Sequence, residues 1–383
     1  MLSPEYLASV SDDFIELYAQ VERDITADVA RRIMKTGYVT KTAKWQIERA
    51  KEIGMFQDEV AKILSSATGL SKPAIKKLLT QAAYTALETD NEIYALAGLD
   101  TVIDFTKSDT MKAILLQGIS DTQRLMKNFT KTTATTARKA LENALDRAYL
   151  QIMSGAFTRE QAIKNAVTDL ATKGITRIAY ESGSTISVEG GIRRAVTTGL
   201  NQTCSKLQLE RAKELGSDLV EVSSHMGARP THAVWQGGIY SISGKHPRYR
   251  ELVESTGYGS GDGLCGWNCY HNFFPYLEGY STPVSEKIGN TAANAKAYEE
   301  SQKQRYYERQ VRDAKRRVAT YEGAISGAST DEERSMFNDK LQDSKRLVRA
   351  RQKRLRDFCK ETGRRQDYSR TYTTGYNKPY KIG

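Results

Sequence analysis

Apolar residues recur at helical spacing through most of the first ~215 positions of the chain. The clearest stripe runs from Asp12 to Lys35, where apolar side chains repeat every three or four residues and predict an amphipathic helix. Gly37 follows this stripe at the position of a C-cap. A second helix is predicted over residues 42–64, with Gly54 as a candidate break. The N-terminal part of the chain is therefore expected to be helical.

More helices are predicted before residue 216. Ser71 stands where an N-cap is expected and Pro73 falls in the first turn, so a third helix is predicted to begin there. Gly216 follows the last helix of the region as its stop signal. The other predicted segments, separated by short polar or Gly-containing joints, are 109–127, 131–153, 158–171 and 192–215.

The pattern changes after Gly216. Residues 218–223 alternate between polar and apolar side chains and predict a strand, and a second short strand is predicted near 238–243. Residues 224–284 are rich in Gly, Pro, Ser and aromatic residues and show little helical periodicity. We expect a compact, loop-rich α+β module over residues 217–285.

Helical spacing returns from Ala292 onward. Two runs of apolar positions at four- and three-residue intervals are separated by a Gly- and Ser-containing joint, and Thr330 with Glu333 forms a capping-box signature for the second run. The pattern predicts an antiparallel helical hairpin that ends at Gly363. Four tyrosines recur every four residues in the basic tail, namely Tyr368, Tyr372, Tyr376 and Tyr380.

These elements predict a mainly α fold with a small α+β module. The predicted division is a helical N-terminal region over 1–216, the Cys/His-containing module over 217–285, and a basic hairpin with its tail over 286–383. No run of about 18 apolar residues is present, so no membrane span is expected. The first residues lack the apolar stretch of a secretory signal, and four cysteines do not make a disulfide framework, so synthesis in a reducing cytoplasm is expected.

The net charge of +11 comes almost entirely from the C-terminal segment. Residues 296–383 contain 23 Lys and Arg against 13 Asp and Glu. Such an excess favours a polyanionic partner, and either nucleic acid or an acidic protein surface satisfies it. The candidate nucleic-acid-binding residues are Lys315, Arg316, Arg317, Lys345, Arg346, Arg349, Lys353, Arg354, Arg356, Arg364, Arg365 and Arg370.

All four histidines of the chain, and two of its four cysteines, fall between residues 225 and 271. Histidine and cysteine are the ligands that zinc prefers, and a small loop-rich module gains stability from a structural metal. The candidate ligands are His225, His232, Cys265, Cys269 and His271. Buried histidines that only form hydrogen bonds would give the same sequence pattern, so structural zinc and a metal-free site both stay open.

Other features of the module are assigned structural roles. Arg229 is expected to hold loop carbonyl groups, and Trp235 and Trp267 are expected to be core aromatics. His246 is expected in a surface loop. The glycines between 257 and 263 do not follow a strand or open a helix, so a dinucleotide-binding loop is not predicted. Cys204 and Cys359 stand on predicted helices as buried thiols.

Two strings of the module resemble a known family. The string from His225 to Gly237 and the string from Gly257 to His271 are similar to the phage minor capsid protein 2 family, as is the hairpin with its end at Gly363. More distantly, the module resembles the Mu gpF / SPP1 gp7 type of head-morphogenesis domain. The positions that match this second pattern are Arg229, His232, Gly237, Asn268 and Cys269, with His271 where that pattern has cysteine.

This resemblance implies a structural protein of the virion, present in few copies near the portal vertex and not an enzyme. Its implied partners are the portal protein, capsid or scaffold proteins and packaged double-stranded DNA, with a role in head assembly and in DNA packaging or ejection. Two alternatives stay open. One is a zinc- or Cys-dependent hydrolase acting on nucleic acid or peptide, although no HExxH motif is present. The other is a host nucleic-acid-binding protein.

Overall fold

The computed structural model describes residues 2–36, 42–99, 108–174, 177–179, 185–368 and 370–371. The described chain is mainly helical with a small α+β module, as the sequence predicts. It contains two small antiparallel sheets, and the sheet formed by residues 177–179 and 185–187 was not predicted. The helices are α1 Pro4–Ser9, α2 Asp12–Thr36, α3 Thr42–Leu96, α4 Asp109–Met153, α5 Arg159–Lys173, α6 Val188–Glu214, α7 Pro230–Ala233, α8 Leu252–Thr256, α9 Ala292–Gly327 and α10 Asp331–Thr362. The strands are β1 Arg177–Ala179, β2 Thr185–Ser187, β3 Leu219–Val222, β4 Ile239–Ser241 and β5 Phe273–Pro275. The predicted cap at Gly37 and the tyrosines after residue 371 lie outside the described residues.

The predicted boundaries at Gly54 and Ser71 are wrong, because α3 is one helix of 55 residues. Ser71 is buried inside it, and Pro73 also lies within the helix rather than in a first turn. Proline and glycine weaken a helix locally, but the burial of an apolar stripe along the whole segment outweighs that cost. Phe56, Leu79 and similar apolar side chains of α3 are fully buried.

The predicted joint between segments 109–127 and 131–153 is also wrong, because α4 runs without interruption through it. Phe129 is buried in the joint, and the hydroxyl of Thr133 donates to the carbonyl oxygen of Phe129 at 2.8 Å. Bonds of this kind let a threonine sit in a helix interior. The next helix, α5, begins with a capping box in which Thr158 and Gln161 bond to each other's backbone.

The contacts divide the chain into two compact units. The first unit contains residues 1–12, 71–126 and 192–303, and the second contains residues 13–70, 127–191 and 304–383. The predicted α+β module lies entirely in the first unit, whereas the N-terminal helical region contributes to both. The division into three domains over 1–216, 217–285 and 286–383 stays a prediction.

The first unit contains a three-stranded antiparallel sheet with strand order β4-β3-β5. Val220 pairs with Tyr240 on one side and with Pro275 on the other. β3 and β4 occupy the positions that the sequence predicts, and β5 was not predicted. The core beside the sheet is made of Val220, Val222, Trp235, Tyr240, Leu252, Leu264, Cys265, Cys269 and Phe273.

The second unit contains residues 304–327 of α9 and all of α10, which form the predicted hairpin. The Thr330–Glu333 capping box is present in both directions, and Gly363 ends α10 in the left-handed conformation with φ of +67°. The rings of Tyr307 and Phe358 pack edge to face with centroids 5.2 Å apart, which places the middle of α9 beside the end of α10. The hairpin prediction is therefore confirmed.

Two glycines of α9 allow a close approach to α2 within the second unit. A Cβ atom on Gly323 would lie 2.1 Å from the carbonyl oxygen of Ala27, and one on Gly327 would lie 2.5 Å from that of Arg31. Both pairs are four residues apart, so the helix surfaces meet along one turn without side chains between them. None of the helices in the described part of the chain is long and apolar enough to cross a membrane.

Candidate functional site

Three buried side chains of the first unit converge on one point. The Sγ atom of Cys269 lies 3.6 Å from Nδ1 of His232 and 3.7 Å from Nδ1 of His271. One ligand atom from each of the three residues lies within 4.8 Å of those of the other two. Each of the three residues is no more than 2 % exposed, so this cluster is shielded from solvent.

Local backbone structure brings the three residues together. His232 is carried by the short helix α7, which begins with Pro230 after Arg229. Cys269 and His271 precede β5 in a loop that reverses direction through positive φ values of +57° at Cys265 and +52° at Asn268. Because asparagine adopts this conformation more readily than most residues, Asn268 suits its place in the loop.

The other ring nitrogen of each histidine is held by an oxygen atom. Nε2 of His232 lies 2.7 Å from the carbonyl oxygen of Asp262, so this nitrogen must be the donor. Nε2 of His271 lies 3.0 Å from Oε1 of Gln236, and the backbone N–H of His225 also donates to that atom at 3.0 Å. An atom that accepts a backbone N–H must be oxygen, so Nε2 of His271 is also a donor.

This arrangement fixes the tautomers and leaves Nδ1 of both rings without a proton. The single S–H proton of Cys269 can serve only one of the two Nδ1 atoms at a time. A buried acceptor left without a donor costs about 1–3 kcal/mol. The cluster therefore has one more lone pair than its own protons can satisfy.

Burial keeps all three groups neutral in the absence of other charges. Desolvation lowers the pKa of His232 to about 4 and holds the pKa of His271 well below its usual value. Desolvation also raises the pKa of the Cys269 thiol to about 11. A thiol with such a pKa is a poor nucleophile, which disfavours a cysteine-dependent hydrolase at this position.

The structure separates the remaining candidate ligands from this group. Cys265 is buried in the core, with Sγ 3.8 Å from the carbonyl oxygen of His271, and burial raises the pKa of its thiol well above the usual value. The ring of His225 packs on that of His271 with centroids 4.4 Å apart, and its Nδ1 lies 3.2 Å from the carbonyl oxygen of Met226. His246 lies in a loop and pairs with Glu278 at 3.6 Å.

Two residues with expected structural roles, Arg229 and Trp235, contact the segments that form the cluster. Trp235 is buried and packs edge to face on His271 with centroids 4.8 Å apart. Gly237 has a φ of +68°, and a Cβ atom there would lie 2.7 Å from the carbonyl oxygen of Glu286. Arg229 donates to the carbonyl oxygens of Trp267 at 2.9 Å and Asn268 at 3.3 Å.

The assignment of Trp267 to the core is wrong, because its side chain is 52 % exposed. The indole lies under the guanidinium of Arg194, 5.0 Å from the ring centroid, in a cation–π contact. Hydropathy alone places tryptophan inside, but a flanking cation from α6 stabilises it at the surface.

Sequence reasoning missed the support that α6 gives to this site. Thr198, Asn201, Ser205 and Gln208 form a buried polar stripe at three- and four-residue intervals. The Asn201 amide donates to the carbonyl oxygens of Cys269 at 3.2 Å and His271 at 2.8 Å. The Gln208 amide donates to that of Phe273 at 2.8 Å. A polar stripe at core spacing within a helix is the signal that would have found them.

Burial divides the twelve predicted DNA-contacting residues. Lys315, Arg316 and Arg317 are half-buried, and Arg316 pairs with Glu22 at 3.1 Å and with Asp313 at 2.8 Å. Lys315 and Arg316 line a cavity of about 1180 Å³ in the second unit. Lys345, Arg364 and Arg370 are also half-buried, with Arg364 donating to the side chain of Gln304. The exposed members are Arg346, Arg349, Lys353, Arg354, Arg356 and Arg365.

Five exposed cations form one line on α10, which we name the α10 cationic stripe. Its members, at alternating three- and four-residue intervals, are Arg346, Arg349, Lys353, Arg356 and Lys360. The buried residues Phe337, Leu341 and Leu355 occupy the opposite face of the helix. Among the residues that the structure describes, Arg349 and Arg356 make no ion pair. Lys360 was not among the predicted residues.

Comparison with known proteins finds two phage structural proteins that are similar to the chain. It is similar to a protein named structural protein of Lactococcus phage LL-H, with 29 % identity over 186 residues, covering 47 % of this chain and 50 % of the relative. A structural protein of Lactococcus phage mv4 is 39 % identical over 72 residues, covering 19 % of this chain and 57 % of the relative. The chain thus spans about half the length of these relatives.

The phage minor capsid protein 2 family matches residues 2–360, and the chain belongs to this family. The resemblance found in the His225–His271 strings and in the hairpin is thereby confirmed. No solved structure is detectably similar to the chain.

Proposed function

We propose that the protein is a structural component of the phage head near the portal vertex, where it contacts the portal protein and packaged DNA. Membership of the minor capsid protein 2 family supports a virion role, with capsid or scaffold proteins as neighbours. Assembly of the head and packaging or ejection of the DNA are the processes that it serves. The α10 cationic stripe is the observation that carries the DNA contact.

The geometry of the stripe suits the backbone of duplex DNA. Fourteen helical steps separate its first and last members, which corresponds to about 21 Å. Duplex DNA carries one negative charge per ~1.7 Å of its axis, so phosphates are available along the whole stripe. The five side chains are long and exposed, and Arg346 and Lys353 also pair with Asp343 and Asp357. Long exposed cations suit contact with phosphates, which carries no sequence information. The contact is therefore sequence-independent.

Salt dependence of DNA binding tests this contact quantitatively. Each neutralised phosphate contributes about 0.9 to the slope of log affinity against log salt concentration, so five contacts predict a contribution of about 4.5. Replacing three members by glutamine (Arg349→Gln, Lys353→Gln and Arg356→Gln) is expected to reduce the slope by about 2.7. Binding of a generic duplex would be measured by fluorescence anisotropy at several salt concentrations.

A matched control removes the same charge elsewhere. Lys62, Lys76 and Lys77 are exposed on α3, and changing all three to glutamine lowers the net charge equally. We expect this control to keep the wild-type slope. A stripe variant with the wild-type slope would contradict the assignment of the DNA contact to α10.

Contact with the portal protein requires a separate test. Exposed apolar side chains at the end of α4 supply a surface for protein contact, since Leu150 is 66 % and Met153 55 % exposed. The tagged chain, co-expressed with the portal protein of the same phage, is expected to capture it. The double variant Leu150→Ser and Met153→Ser is expected to capture less, and Met226→Ser, which removes an apolar side chain that is 53 % exposed, serves as the control. No capture by the wild-type chain would contradict the portal contact.

The competing function is a hydrolase that uses the cluster around Cys269. It predicts turnover of nucleic acid or peptide by the purified wild-type chain, lost in a folded His232→Ala variant. A structural role predicts no such turnover, and folding of the first unit that depends on His232. Finding turnover in the wild type would contradict the structural role.

A further inference from the structure

We infer that His232, Cys269 and His271 bind a zinc ion through Nδ1, Sγ and Nδ1. The first support is distance. Tetrahedral zinc with bonds of about 2.3 Å to sulfur and 2.05 Å to nitrogen separates the sulfur and nitrogen ligands by about 3.6 Å. The two Sγ–Nδ1 distances in the cluster are 3.6 and 3.7 Å.

Distance alone does not separate zinc from a thiol hydrogen bond, so the proton count decides. Nε2 of His232 donates to the carbonyl oxygen of Asp262, and Nε2 of His271 donates to Oε1 of Gln236. Both Nδ1 atoms are therefore acceptors, and one S–H cannot satisfy both. A cation at the centre satisfies both imidazoles and the thiolate together.

The surrounding contacts are those that accompany a metal-bound histidine. Such a ligand usually donates its second N–H to a carbonyl or carboxylate oxygen, which fixes the ring and the tautomer. Both histidines have this partner, and the Asn201 amide holds the carbonyl groups of Cys269 and His271 from behind. The site is therefore preorganised from three separate segments of the first unit.

The donor set narrows the choice of metal. One thiolate and two imidazoles suit zinc or copper, whereas magnesium and calcium prefer oxygen ligands. Metal analysis of the purified chain distinguishes zinc from copper. Three protein ligands leave the fourth tetrahedral position to a water molecule or another exogenous ligand. Cys265 and His225 stand outside the ligand set, since their donor atoms do not join the group of three.

Metal analysis of the purified full-length chain is the first test. We expect one zinc ion per chain by inductively coupled plasma mass spectrometry. After removal of metal with a chelator, added Co²⁺ is expected to give a thiolate-to-cobalt charge-transfer band and the intense visible bands of a tetrahedral site. Wild-type protein with neither zinc nor a cobalt spectrum would overturn the inference, whatever the behaviour of any variant.

Variants then test the ligand set. Cys269→Ser is expected to lose the charge-transfer band and most of the bound zinc. Cys265→Ser is the matched control, because Cys265 is equally buried in the same core, and it is expected to keep both. His225→Ala is likewise expected to retain zinc. Loss of the band in Cys265→Ser, or of zinc in His225→Ala, in a folded protein would overturn the assigned ligands.

Discussion

The contact of α9 with α2 gives the sharpest prediction about stability. A Cβ atom on Gly323 would lie 2.1 Å from the carbonyl oxygen and 2.6 Å from the carbonyl carbon of Ala27. Both atoms belong to the backbone of α2, so no flexible side chain can move aside. Restoring ordinary van der Waals contact requires the helices to separate by more than about 1 Å, or the helix to deform locally.

The expected cost follows from two opposing terms. Overpacking of a close contact costs about 1–3 kcal/mol. Alanine in place of a helical glycine returns up to about 1 kcal/mol through backbone entropy. Gly323→Ala is therefore expected to destabilise the protein by up to about 2 kcal/mol net. For a unit of this size, 1 kcal/mol corresponds to about 2–4 °C in Tm.

The control is a helical glycine with free space around it. Apart from its two chain neighbours and the adjacent backbone of its own helix, no atom lies within 4 Å of a Cβ atom built on Gly54 in α3. Gly54→Ala is thus expected to stabilise the protein by about 0.5–1 kcal/mol. Tm would be measured for both variants by circular dichroism or calorimetry. If Gly323→Ala raised the Tm as Gly54→Ala is expected to do, the inferred close packing of α2 and α9 would be refuted.

Three other substitutions test separate parts of the structure. Burial raises the pKa of Asp90 from 3.8 to about 7, so the folded state binds a proton that the unfolded chain releases, and stability falls as the pH rises through this range. The fall in Tm between about pH 5 and about pH 8 should therefore be smaller in Asp90→Asn than in the wild type. An equal fall in both proteins would contradict the raised pKa. Asn201→Ala removes the donor to two buried carbonyl groups and should lower the free energy of unfolding by about 1–3 kcal/mol in guanidinium titrations. The control Asn165→Ala alters an exposed side chain and should have little effect. Thr330→Ala removes the N-cap of α10 and should cost about 1 kcal/mol in the same assay, and an unchanged midpoint would argue against the capping box.

Local sequence signals predicted much of the fold. The Thr330–Glu333 capping box, the stop at Gly363 and the apolar seam of the hairpin each depend on residues close together in the chain, and the structure confirms all three. β3 was predicted for the same reason, since alternation is a local property. Signals of this kind are sufficient where no distant contact opposes them.

The errors arose where distant contacts outweigh local preference. Gly54, Ser71 and Pro73 are breaking or capping residues by local rules, yet the buried stripe of α3 carries the helix through all of them. The need for glycine at 323 and 327 comes only from the backbone of α2, which no spacing within α9 reveals. β5 reads Phe-Phe-Pro and lacks the polar and apolar alternation that predicted β3.

The sequence predicted which segment of the chain holds the site but not how its side chains are arranged. Clustering of histidine and cysteine between 225 and 271 pointed to the right segment. The folded loop, with positive φ values at Cys265 and Asn268, places Cys269 and not Cys265 in the group with the histidines, and sequence spacing does not encode this geometry. In the same way, the ion pair of Arg316 with Glu22 depends on the packing of α9 in the second unit. The separation of half-buried from exposed cations was therefore not predictable.

The position of the protein in the virion tests the central claim most directly. An asymmetric cryo-electron microscopy reconstruction of the intact phage, supported by cross-linking mass spectrometry of the same particles, would locate the chain. We predict density for it at the portal vertex, cross-links to the portal protein, and α10 facing the packaged DNA. Absence of the chain from purified virions, or its distribution over the capsid shell away from the portal, would contradict the account.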